Sequence, residues 1–159
     1  RHVERSKEIK SLSEKLGLGA QILNEDQSIL DNREIIIVNY FGALKTFFKY
    51  AKSVFIGKSM IPKLKHVGGQ SPIEAAMLQC KIYHGPYVYN FEDIYKILEM
   101  NSISKRIENF QELSKNLLFD LKNPQKQNNE NKNLINDLGK KTLTDTMELI
   151  DDFLDDKNK

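Results

Sequence analysis

Residues 34–39, Glu-Ile-Ile-Ile-Val-Asn, narrow the fold more than any other stretch. A continuous β-branched run of this length predicts a parallel strand covered on both faces. Parallel neighbours cannot be joined by a tight hairpin; each needs a crossover, usually a helix. The chain supplies that alternation. Glu4 to Leu16 has amphipathic spacing, with Ile9, Leu12 and Leu16 on one face, and Gly17 stops it. Ala20–Leu23 is a weak strand. After the 34–39 run, Leu44 to Ala51 reads as a helix with Leu44, Phe47, Phe48 and Ala51 inward. Lys45, Lys49 and Lys52 form its wet side; a solvated face is the simpler reading and an anionic membrane surface the other. Val54–Gly57 is the next strand.

From Gly68 to Asn90 the sequence reads as glycine turn, helix, strand and second turn. Ser71 suits the N-cap, Pro72 the first helical position, and Glu74 the third position of a capping box. Ile73, Ala76, Met77 and Cys80 recur at helical spacing, and Lys81–His84 is a strand stopped by Gly85-Pro86. A glycine loop feeding a helix N-terminus suits an anion. The same pattern is also ordinary punctuation in an α/β domain. The longer loop from Lys58 to Val67 carries lysines that suit phosphate, lipid headgroups or solvent. Asn90 is placed to cap a helix over Phe91–Met100, Ile103–Ile107 to form the last strand, and Asn109 to cap a helix over Phe110–Leu121 with Leu113, Leu117 and Leu121 as its stripe. Asn123-Pro124 breaks the pattern. Gln125 to Asn133 is polar, a linker or the wet first turns of a helix, and helical spacing returns over Leu134–Leu154.

The length of 159 residues suits one α/β domain with a real core. A net charge of +2 gives no argument for a nucleic-acid partner. The single cysteine, Cys80, excludes an internal disulfide and lies on an apolar face, where a buried structural thiol is expected rather than a nucleophile. No apolar run reaches the 18 residues of a membrane span. Nothing reads as a signal peptide, and the chain opens on Arg1, so a fragment or processed product is expected. No metal-ligand spacing is visible, and His66 and His84 lack a metal partner in the sequence.

GGQSPIE followed by GPYVYNF resembles the GGHNPLE…GPHMxNF segment of the Kdo transferases, and RHVER at the start resembles their PRHxER turn. These bacterial glycosyltransferases move 3-deoxy-D-manno-octulosonic acid (Kdo) from CMP-Kdo to lipid A precursor. The resemblance runs from Arg1 to about Leu121. It implies the C-terminal, donor-binding half of a GT-B fold: a Rossmann-like three-layer α/β/α domain with a mainly parallel sheet over residues 1–123, followed by a helical extension over 124–159. It further implies a donor site drawn from Arg1, His2, Gly42, Ser59, Gly68, Gly69, Gln70, Ser71, Glu74, Gly85, Pro86 and Asn90. In that reading Glu74 takes hydrogen bonds from ribose hydroxyls, which a carboxylate does well because its two oxygens face two adjacent donors. Arg1 and His2 would meet the donor's anion. The chain departs from the family pattern at Asn39, Ala43, Lys58, Gln70 and Ser71; a role needing an acid at 43 or an imidazole at 70 is absent.

Glycosyl transfer needs a base for the acceptor and charge stabilisation at the departing phosphate. No catalytic base is expected in this chain. The resemblance assigns the base and the lipid A precursor surface to an N-terminal domain, membrane association to an N-terminal segment, and the parent to the cytoplasmic face of the bacterial inner membrane. It calls for no cofactor and no metal. A GT-B donor domain for another nucleotide sugar, such as a UDP-sugar, and a non-catalytic α/β interaction domain stay open beside it.

Overall fold

The computed structural model describes residues 3–123 and 129–157. They fall into two compact units, Arg1–Thr46 and Phe47–Lys159.

The first unit packs helix α1 (Val3–Lys15) against a two-stranded parallel sheet of β1 (Ala20–Leu23) and β2 (Ile35–Val38), in register from Ala20 opposite Ile35 to Leu23 opposite Val38. The ladder runs one residue further each way: the Gly19 carbonyl accepts from Ile35 N at 3.1 Å, and Leu23 O accepts from Asn39 N at 2.8 Å. The buried Gln21 amide holds the connecting loop, donating to Ser28 O and accepting from Leu30 N, each at 2.9 Å. α1 closes with Leu18 N donating to Ser13 O at 3.0 Å around Gly17, whose φ of 78° is left-handed.

Two expectations change here. α1 does not bury its Ile9–Leu12–Leu16 face; Leu12 is 53% and Leu16 77% exposed, while Ser6 and Ser13 are buried. Serines let a helix sit close to a sheet. They also satisfy their own hydroxyls, Ser6 Oγ donating to Asn39 Oδ1 at 3.2 Å and Ser13 Oγ to Ile9 O at 2.8 Å. β2 is half-buried along its length rather than covered on both faces, and β1 is the more buried strand.

Helix α2 (Leu44–Tyr50) carries the chain into the second unit. There β3 (Ser53–Phe55), β4 (Lys81–His84) and β5 (Ser104–Arg106) form a parallel sheet in chain order. The described strands thus make two parallel sheets, and the class is Rossmann-like α/β. Helix α3 (Ile73–Met77) lies in the first crossover and α4 (Glu92–Met100) in the second; α5 (Phe110–Lys122) and α6 (Asn129–Lys157) follow. The core gathers Ile82 of β4, Tyr95 and Leu98 of α4, and Ala75 and Ala76 of α3, whose small side chains admit close packing. Ile135 of α6 joins it, with Leu134 and Leu138 packed alongside. Cys80 is buried, its thiol donating to Phe48 O at 3.2 Å, and burial raises its pKa.

Asn109 caps α5 as expected, accepting from Glu112 N at 2.9 Å. The stripe on that helix differs: Leu121 is exposed, and the buried residue at its end is Asp120. The Asp120 carboxylate accepts from Ser53 Oγ at 2.6 Å and Tyr83 OH at 2.7 Å, tying α5 to two strands. Burial, then the Asp120 bond, raises the Tyr83 pKa.

Candidate functional site

In a parallel α/β sheet, ligands bind beyond the carboxyl ends of the strands. At that edge of the second unit the loops after β3 and β4 interlock. Ser59 is fully buried; its hydroxyl donates to Ile56 O at 2.6 Å and accepts from Gly85 N at 2.8 Å, while its carbonyl accepts from Tyr87 N at 2.8 Å. Gly85 sits so close that a Cβ there would lie 2.4 Å from Ser59 O. On the other side a Cβ at Gly68 would lie 2.7 Å from Tyr87 O, and one at Gly69 would lie 3.0 Å from Val88 Cα. Gly69 also has φ of 85°, which glycine adopts without strain. Gln70 is held by its carbonyl, which accepts from Tyr95 OH at 3.0 Å.

The structure therefore brings Ser59, Gly68, Gly69, Gln70 and Gly85 into one block, with Pro86 following Gly85. Of the other residues expected at the site, Ser71, Glu74 and Asn90 are exposed. Those three offer hydroxyl, carboxylate and amide groups to hydroxyl and phosphate partners. Ser59 has no hydroxyl to spare; its work is to join the two loops. Gly42, in the first unit, has φ of 85° and open space where a Cβ would point. Arg1 and His2 lie outside the described residues.

Local geometry at the helix entries departs from expectation. α3 begins at Ile73 with Pro72 at its N-cap, and no side-chain cap forms. Ser71 Oγ accepts only a long 3.4 Å bond from Ile73 N, so the capping box is absent and Glu74 is not engaged by one. The helix runs five residues rather than continuing to Cys80, because Gln79 turns through a left-handed φ of 61°. So short a helix has a slight dipole. Asn90 does not cap α4 either; it lies inside a tight turn over Tyr89–Phe91.

Behind Gly85 is a buried cluster that hydrophobic patterning does not reveal. His84, 1% exposed, stacks obliquely on Tyr95 with ring centroids 4.1 Å apart. Its Nδ1 lies 2.8 Å from Gly85 O, and its Nε2 lies 2.8 Å from Glu99 Oε1 without the alignment of a hydrogen bond. Burial lowers the His84 pKa, outweighing the Gly85 carbonyl and Glu99, which act in the opposite sense. Burial also raises the pKa of Tyr95. His84 is thus enclosed by the fold, with both ring nitrogens facing protein oxygens.

A groove of about 390 Å³ lies between α3, α4 and α6, lined by Ile73, Met77, Ile94, Ile97, Ile135 and Leu138 among others. Its lining is mostly apolar and includes the Asp93 carboxylate, which makes it unsuited to phosphate. Among the described residues, no three His, Cys, Asp or Glu side chains gather as a metal site, and no helix is long and apolar enough to cross a membrane.

No protein-family profile matches the chain. Among proteins of established function it is similar to the 3-deoxy-D-manno-octulosonic acid transferase of Rickettsia prowazekii, with 29% identity covering 97% of this chain and 33% of the relative. The Chlamydia muridarum enzyme of the same name is 27% identical, over 87% of this chain and 32% of the relative. The described fold resembles the crystal structure of the C-terminal CMP-Kdo binding domain of WaaA from Acinetobacter baumannii, with TM-score 0.67 and 21% identity over 88% of this chain and 69% of that one. Along most of its length the chain is similar to one part of these Kdo transferases. It spans about a third of the length of those curated relatives. The resemblance seen in the Kdo transferase motifs thus extends over most of the chain.

Proposed function

We propose that this chain is the donor-binding half of a glycosyltransferase that moves Kdo from CMP-Kdo to lipid A precursor. The observation that carries the reading is the coincidence of two facts. The two segments that resemble the Kdo transferase motifs, 68–74 and 85–91, are the segments that interlock at the carboxyl edge of β3 and β4. In this reading Gly68 and Gly69 let the main chain pack closely, Gln70 and Ser71 face the donor, Glu74 takes the ribose hydroxyls, and Gly85, Pro86 and Asn90 line the opposite side. For Gly42, Arg1 and His2 the reading rests on the resemblance to the Kdo transferase motifs alone.

The base, the lipid acceptor surface and the membrane-bound setting at the inner membrane's cytoplasmic face belong to the rest of such an enzyme, so the chain alone is inactive in Kdo transfer. The proposed domain division, residues 1–123 with 124–159 as extension, goes with this reading. A two-dimensional amide NMR titration with CMP, and with UMP and AMP as controls, tests it. Shifts at 68–74 and 85–90, with CMP preferred, are expected. Equal response to UMP would move the reading to another nucleotide sugar. Silence at millimolar CMP in both this chain and a two-domain parent would overturn it.

A further inference from the structure

Residues 35–73 contain six lysines and no aspartate or glutamate, a larger excess of charge than the +2 of the whole chain. Three of these lysines, Lys58, Lys63 and Lys65, stand exposed on the loop between β3 and α3, with exposed His66 beside them. Among the described residues, none of the three has an acidic partner within ion-pair distance. The same loop exposes apolar side chains: Ile61 is 47% and Val67 62% exposed. Tyr89, also 62% exposed, reaches the loop from the neighbouring turn, its ring edge-on to His66 at 6.4 Å.

This surface is built rather than loose. Pro62–Leu64 forms a tight turn, closed by Leu64 N to Ile61 O at 2.8 Å and Val67 N to Leu64 O at 3.0 Å. Buried Ser59 fixes one end of the loop, and Gly68, packed on the Tyr87 carbonyl, fixes the other.

We propose that the loop from Gly57 to Gly69, with Tyr89, docks on the surface of an anionic lipid bilayer. Lysine ammonium groups meet anionic headgroups there, while aliphatic side chains and a tyrosine ring settle at the headgroup boundary, where an apolar body and a polar tip are both accommodated. A soluble phosphate ligand would account for the lysines but would leave Ile61 and Val67 without a partner, so the mixed surface favours a bilayer. The loop shares its two ends, Ser59 and Gly68–Gly69, with the proposed donor site, while Lys58, Ile61, Lys63, Lys65, Val67 and Tyr89 are not among that site's residues.

The chain has no tryptophan, so Ile61→Trp gives a single-site fluorescent reporter. The protein is titrated with phosphatidylcholine vesicles, with and without phosphatidylglycerol, and co-sedimentation of the unsubstituted chain runs in parallel. A blue shift and sedimentation only with phosphatidylglycerol are expected, weakening as salt rises. Replacing Lys58, Lys63 and Lys65 by Gln lowers partitioning by about 100-fold, from three lost lysine–headgroup attractions. Replacing Lys45, Lys49 and Lys52 by Gln, equal in charge but outside the loop, has a smaller effect. Three results overturn the proposal: no vesicle-dependent shift at position 61, equal losses from the two triple variants, or a shift produced by inorganic phosphate or CMP alone and not by vesicles.

Discussion

The two units set helices on parallel strands in different ways. In the second unit the sheet meets bulk: Tyr95 and Leu98 of α4 are almost wholly buried, and Ile82 beneath them is too. In the first unit the sheet meets Ser6 and Ser13 of α1, while Ile9, Leu12 and Leu16 face outward. Helical spacing of apolar residues was present in both helices. On α4 the spacing of Ile94, Tyr95, Ile97 and Leu98 includes the two buried residues, Tyr95 and Leu98, whereas on α1 it marks the wrong face. A stripe reports that a helix has an apolar side; it does not report whether the sheet in question is what covers it. Small hydroxylated residues, satisfied within the helix or by Asn39, allow a close approach at little cost.

Substitutions should separate the two kinds of packing. The largest effect is expected for Leu98→Ala, which empties a wholly buried position and should cost about 2–5 kcal/mol in urea unfolding. A loss below about 1 kcal/mol would mean that the core of the second unit is not the close-packed one described. Asp120→Ala comes next. It leaves Ser53 and Tyr83 hydroxyls without their acceptor, at about 1–3 kcal/mol. Asp120→Asn, which keeps an acceptor oxygen, should recover part of that loss.

A smaller effect follows from His84. Its pKa in the fold is held below the ordinary 6.5 by burial, so the unfolded chain binds the proton more readily. Stability from this group is therefore full above about pH 6.5 and declines as pH falls below it, by at most about 1.4 kcal/mol per pH unit. Glu99 and Arg106 are the charged groups that modulate it. Urea midpoints measured between pH 7.5 and 5 should fall for the wild type and fall less steeply for His84→Gln; parallel slopes would remove His84 from the account. The smallest effect is expected for Leu12→Ala on the outward face of α1, within about 0.5 kcal/mol. A cost like that of Leu98→Ala would show that the two faces of α1 had been interchanged.

The five strands and the helices that separate them were legible in sequence, because alternating β-branched runs and amphipathic segments leave few other arrangements. Asn109 as a cap and Cys80 as a buried thiol were legible for equally local reasons. The failures arise where a long-range contact outweighs a local preference. Ser71 and Asn90 have capping chemistry, but Gly69 and the Tyr89–Phe91 turn set the backbone at those points, and neither residue caps its helix. Nothing in the spacing singles out Asp120, whose partners Ser53 and Tyr83 lie far off in the chain. Ser59 reads as a ligand group, yet its hydroxyl is spent on Ile56 and Gly85.

The approach of Gly68, Gly69 and Gly85 to opposing main chain gives these positions a mutational signature of their own. In a saturation scan scored only for soluble expression, with no ligand present, all three columns should already be depleted of every side chain. Ser71, Glu74 and Asn90 should be permissive in that screen and become restrictive only when nucleotide capture is selected. The motif would thus separate into a half that is read by folding and a half that is read by the ligand.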